Sequence, residues 1–137
     1  MLSYDSTLKH SLKEGTIMKE RTFTQEQRTE LLKQASIAYY KEKRRNTCTF
    51  NAIGEIHCLS YASVVCSINP ANKVITFYPH SDYSNTTHKH LSQFIDKELN
   101  TRIYAKERRQ AIKDGIIYLY RKGIEYTVLY STFQPYA

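Results

Sequence analysis

The tetrapeptide Asn69-Pro70-Ala71-Asn72 is the strongest constraint in this chain. Proline fixes its own backbone and removes a donor, and asparagine closes turns through its side chain, so neither a helix nor a strand continues through it. It separates two runs of β character. Ile56 to Ile68 carries little helical signal and reads as a long strand, bent near Tyr61; Lys73 to Tyr78 returns beside it. With residue 68 paired near 73, Val64, Cys66 and Ile68 share a face with Ile75 and Phe77. Thr47 to Ile53 is a further strand, set off by a turn at Gly54-Glu55. The expectation is an antiparallel meander with one apolar face.

Helices flank that region. Thr24-Gln25-Glu26-Gln27 is a capping box, and Leu31, Leu32, Ala35, Ala38 and Tyr39 follow at helical spacing, which predicts a helix from 25 to about 45. Its last turn then carries Lys41, Lys43, Arg44 and Arg45, cations that suit the negative end of the helix dipole. A second helix follows the hydroxyl-rich Tyr83-Ser84-Asn85-Thr86-Thr87, with Leu91, Phe94, Ile95 and Leu99 as its buried stripe. A third spans about 103–114, with Ile103, Ala111 and Ile112 inward and Gly115 at its left-handed end. Ile116–Tyr120 and Ile124–Tyr130 flank Arg121-Lys122-Gly123 as a hairpin. The fold class is α+β: an antiparallel sheet, meander plus C-terminal hairpin, packed with about three helices.

At 137 residues the chain holds one domain, read as 23–137, preceded by a polar arm over 1–22 in which Met18 is a possible alternative start. The formal charge of +7 is uneven: residues 1–45 and 101–137 each carry +4 and residues 46–100 carry −1. Three cysteines at 48, 58 and 66 form no disulfide framework, and Met1-Leu2-Ser3-Tyr4-Asp5 has neither the basic nor the apolar region of a signal peptide. No apolar run is long enough to span a bilayer. Reduced thiols and a cytosolic location are expected, with no membrane partner.

The neutral middle holds the most distinctive stretch. Leu59-Ser60-Tyr61, Phe77-Tyr78, then Asp82-Tyr83-Ser84-x-Thr86-Thr87-x-Lys89-His90 and Phe94 resemble a small domain of unknown function found in bacteriophages, plasmids and other mobile elements of Gram-positive bacteria. The likeness covers about 47–119, including Lys113-Asp114-Gly115-Ile116, and leaves the first helix and the last hairpin outside. It implies a mobile-element origin and a compact α+β unit, and carries no activity. On their own, Ser84, Asn85, Thr86 and Thr87 are ordinary caps and turn formers. The functional alternative is a phosphate at the helix start, held by Thr86, Thr87 and Lys89.

His80, His88 and His90 invite two further readings. The spacing of His88 and His90 turns their rings about 200° apart on a helix, which excludes one shared ion; no metal and no cofactor are expected. A metal-independent RNase remains an alternative, with His80 and His90 as acid and base and Lys89 on the phosphate. Phosphate-binding glycine loops and hydrolase elbows are absent from the sequence.

Three basic clusters remain: Lys41-Glu42-Lys43-Arg44-Arg45, Lys106-Glu107-Arg108-Arg109 and Arg121-Lys122. Such runs are usually solvated surface. Tyr40 and other tyrosines stand beside them, and arginine with tyrosine favours stacked and phosphate contacts. The leading expectation is a non-catalytic protein of a mobile element that binds nucleic acid or a nucleic-acid-handling host complex. Interference with host defence, such as inhibition of a CRISPR effector, fits that origin. A structural or regulatory homodimer of the element is the other alternative.

Overall fold

The computed structural model describes residues 23–43, 45–119 and 123–137. Six strands form one sheet: β1 (Thr47–Ala52), β2 (Glu55–Ser60), β3 (Ser63–Asn69), β4 (Val74–Phe77), β5 (Ile116–Leu119) and β6 (Ile124–Tyr130). Their order is β1-β2-β3-β4-β6-β5. Neighbours run antiparallel except β4 and β6, which are parallel. Three helices accompany it: α1 (Gln25–Lys41), α2 (Asn85–Leu99) and α3 (Ala105–Asp114). The protein is α+β, as its sequence predicts.

The run from 56 to 68 is a hairpin and not one bent strand. Ser60 pairs with Ser63 around a tight turn at Tyr61 and Ala62, with Tyr61 at φ 56°. Folding the run back on itself places Cys58 opposite Cys66 and buries both, which a single long strand cannot do. The turn before it centres on Ile53 and Gly54 (φ 49° and 75°), the doubly left-handed pair that matches strand twist. Glu55 therefore belongs to β2, where it is buried.

Between Cys58↔Cys66 and Leu59↔Val64 the register slips, leaving Val65 as an extra residue on β3. A one-residue bulge flips every side chain beyond it. Cys66 and Ile68 accordingly join Ile75 and Phe77 as expected, but Val64 is sent through to the opposite face.

That opposite face is also covered. On one side Leu91, Phe94, Ile95 and Leu99 of α2 and Ala111 of α3 pack on Cys66, Ile68, Ile75, Phe77, Tyr126 and Val128. On the other, Leu31, Ala35 and Ala38 of α1, with Phe23, pack on Ala52, Leu59, Val64 and Tyr78. The expected single apolar face is thus two, which explains why Val64-Val65-Cys66-Ser67-Ile68 shows no polar alternation.

The helix starts follow the sequence. The Thr24 hydroxyl accepts from the Gln27 amide (3.1 Å) while Gln27 accepts from the Thr24 amide (3.0 Å). Ser84 caps α2 by accepting from the Thr87 amide (3.2 Å), and Glu107 accepts from the Tyr104 amide (2.9 Å) at α3. α1 ends at Lys41, earlier than expected, because its buried stripe runs out at Ala38 and Glu42 occupies the next inward position. Lys43 and Arg45 lie beyond the helix. α3 ends on Gly115 at φ 75°, as read.

Segment 131–137 folds back over the Tyr61–Ala62 turn. Pro135 accepts from the Val64 amide, the Ala137 amide donates to Ala62, and the Gln134 side chain links the His80 amide (2.7 Å) to the Val64 carbonyl (2.9 Å). Among the described residues no helix is long and apolar enough to cross a membrane.

Candidate nucleic-acid interface

A groove of about 360 Å³ runs between the end of α1, the edge strand β1 and the outer face of α2. Glu42 and Arg45 form one wall, Gln93 and Lys97 the other, with Thr47 and Thr49 of β1 between them. Arg45 pairs with Glu42 at 3.3 Å, an exposed contact worth at most about 1 kcal/mol, so its guanidinium is free to turn to a stronger anion. Lys89, Gln93 and Lys97 recur every fourth residue on α2, and all three are exposed. Residues so spaced share one helix face, and the outer pair lies ~12 Å apart along the axis. Tyr40 and Lys41 are exposed on the last turn of α1, Tyr40 edge-on to Tyr39. Lys43 is exposed just beyond.

The second basic cluster lies elsewhere. α3 packs over β5 and β6, at the far end of the sheet from β1, so the two clusters do not form one patch. Arg108 corrects the expectation of a surface contact: it is 1% exposed. Its guanidinium reaches the Ser81 carbonyl (3.4 Å) and Asp82 Oδ1 (3.3 Å) and donates to His88 Nδ1. Exposed Arg109 donates to the same Asp82 oxygen at 2.8 Å, and His88 Nε2 lies 3.3 Å from it. The Arg109 hydrogen bond holds the Asp82 carboxyl below its usual range. Burial, then the neighbouring Arg108 charge, keeps His88 below the ordinary imidazole value. Arg108 is thereby committed to a buried ionic knot, whereas Arg109 joins it through an exposed pair, and Lys106 is exposed with no ion pair among the described residues. Arg44, Arg121 and Lys122 lie outside the described residues.

At the start of α2, Thr86 and Lys89 are exposed but Thr87 is buried, its amide and hydroxyl both engaged by Ser84. Thr87 therefore closes the cap and is not open to a phosphate. The three histidines have separate hydrogen-bond partners. His80 meets the Ser63 hydroxyl at Nδ1 (2.9 Å) and the Tyr136 hydroxyl at Nε2 (3.2 Å). His90 meets the Ser60 hydroxyl (2.8 Å), and His88 belongs to the ionic knot. Among the described residues no three His, Cys, Asp or Glu side chains gather to hold a metal ion. All three cysteines are free thiols, and burial pushes Cys58 up to about 12.

Sequence reasoning missed Gln93 and Lys97, although the four-residue spacing from Lys89 was there to be read. It also missed Asp82 as the partner of both arginines, which no local pattern announces.

These features define an α+β protein with a cleft beside its terminal strand β1, lined by Arg45, Lys97 and the β1 threonines together with Glu42 and Phe94. The chain belongs to a family of unknown function, DUF8033, whose model matches residues 18–115. That span takes in α1, which the sequence likeness left outside, and stops before β5 and β6. No curated protein and no solved structure matches the chain.

Proposed function

We propose that this protein binds single-stranded nucleic acid in the groove between α1, β1 and α2, as a binding protein and not a catalyst. One observation carries the reading: Arg45 and Lys97 face the groove from opposite walls, with Thr47, Thr49 and Gln93 between them. Cations spaced along a groove take successive phosphates, and hydroxyl and amide groups take sugar and phosphate oxygens. A concave slot admits a single strand, while a duplex meets only its rims. Lys89, Lys41 and Lys43 extend the positive field at both ends, and Tyr40 offers a stacking ring. The likeness to domains of phages and plasmids supports a host nucleoprotein, such as a CRISPR effector, as the bearer of that strand, and obstruction of it as the outcome.

Fluorescence anisotropy with a labelled single strand of about twelve nucleotides tests this, since such sites span roughly 4–16 nucleotides. Arg45→Glu and Lys97→Glu should each weaken binding about tenfold or more at ~0.15 M salt and flatten the log–log salt slope by about 0.7 per lost phosphate contact. Lys106→Glu should change little beyond the small effect of net charge. No binding by the wild-type chain at ~0.05 M salt, or equal losses from all three variants, would defeat the reading.

A further inference from the structure

A second cavity, about 270 Å³, lies on the far side of His90 from the groove. Its walls are Tyr61, Tyr83, Tyr136 and His80, and Ser60 and Ser63 lie at its base. We infer that this cavity is a nucleobase pocket, which takes one unstacked base from the strand in the groove.

Seven large hydrophobic side chains are exposed among the described residues, and three of them line this one cavity: Tyr61 (49%), Tyr83 (76%) and Tyr136 (52%). They come from separate parts of the chain, the β2–β3 turn, the approach to α2 and segment 131–137. The structure holds each in place. Tyr61 sits at φ 56°, where a bulky residue is strained and glycine or asparagine would be at ease. Its ring packs on His90 at 5.8 Å. Tyr83 stacks on His80 at 5.5 Å, and the Tyr136 ring meets His80 edge-on at 5.2 Å. Tyr136 is fixed by its bridge to Ser63 and by the bond from the next residue to Ala62.

The lining gives the ligand's chemistry. Among the described residues no Asp, Glu, Lys or Arg borders the cavity, which suits an uncharged group. Aromatic walls favour a flat π system, and serine hydroxyls keep acceptor capacity beyond their bonds to His80 and His90. A flat, neutral ring with donors and acceptors on its edge is a nucleobase. The volume falls just below the ~300 Å³ at which pockets for larger ligands begin, enough for one base. His90 lines the groove, and its bond to Ser60 forms the partition between the two sites. The pocket thus rests on the groove reading for its ligand's backbone, and its own residues are tested separately.

The full chain is titrated with a single strand of about twelve nucleotides carrying bases, and with an abasic strand of the same length. Tyr83→Ser should weaken the first roughly 5- to 150-fold, the factor of one lost stack, and leave the second and the salt slope unchanged. Tyr83→Phe should restore binding. Lys97→Glu should weaken both strands. Equal affinity of the wild type for both strands, or equal losses of both in Tyr83→Ser, overturns the pocket while the groove stands. Failure of every strand defeats the groove, and free nucleosides then decide the pocket. Adenosine or uridine at ~10 mM should shift the ring resonances of Tyr61, Tyr83 and Tyr136 in the wild type only, as millimolar affinity requires. No shift from either overturns it.

Discussion

Arg108 and Arg109 are neighbours in the chain with opposite fates. Arg108 is buried under the turn before α2 and bonds Ser81, Asp82 and His88, whereas Arg109 reaches the same carboxylate from the surface. Removing a buried, multiply bonded guanidinium strands its partners and leaves a void; exposed pairs contribute little. Arg108→Met should therefore cost about 2–4 kcal/mol by urea unfolding, and Arg109→Met no more than about 1. The same variant has a second readout. The folded chain holds His88 below its ordinary value of 6.5, so the unfolded chain takes up a proton that the folded ring refuses. Stability is fully present above that value and falls as pH drops through the depressed one, and His90 acts in the same direction. In Arg108→Met the His88 resonance should titrate closer to 6.5. A wild-type His88 that titrates at or above 6.5 would contradict the ionic knot. The cap at Thr24 was legible, and that of the second helix was narrowed to residues 83–87, because a cap is a local bond between near neighbours. Arg108 was hidden by its company, Lys106, Glu107 and Arg109. Its spacing from Ala111 and Ile112, three and four residues on, was the available sign that it points inward.

At the level of elements, the turns divide by how they are written. The turn at 69–72 is spelled in Asn and Pro, and the Asn72 amide donates to the Asn69 side chain at 3.0 Å. The turn at Tyr61 has no such residue, and the bulge at Val65 has none either, so the slip that moves Val64 across the sheet is fixed by pairing alone. Left-handed positions provide a test of opposite signs. At Gly115 (φ 75°) an added Cβ would meet only the Val128 carbonyl at 4.0 Å, so Gly115→Ala costs backbone energy and not a clash, about 1–2 kcal/mol. Lys73 holds φ 56° with its side chain exposed, and Asn tolerates that region better, so Lys73→Asn should gain about 0.5 kcal/mol. Urea midpoints moving the same way in both variants would show that φ is not what governs these sites.

Across the whole molecule, what was legible is the class, and what was not is arrangement. The helices and most of the strands follow from spacing and turns, and the break between β2 and β3 does not. Whether two basic clusters meet depends on strand order, and the last strand to be named, β6, sits inside the sheet and not at its edge. That placement governs how the chain comes together. β1, β2 and β3 pair with near neighbours and can form as soon as they are made. The slot between β4 and β5 stays empty until residues beyond every helix have been synthesised, and Tyr126 and Val128 arrive with them to complete the core under α2 and α3. Contacts this distant in sequence form late, because closing the long loop comes first. Pulse-labelled amide exchange during refolding should protect β2 and β3 before β6; simultaneous protection would mean one concerted step. A piece cut to the family match, 18–115, would carry β4 as a bare edge, ready to pair with another copy of itself.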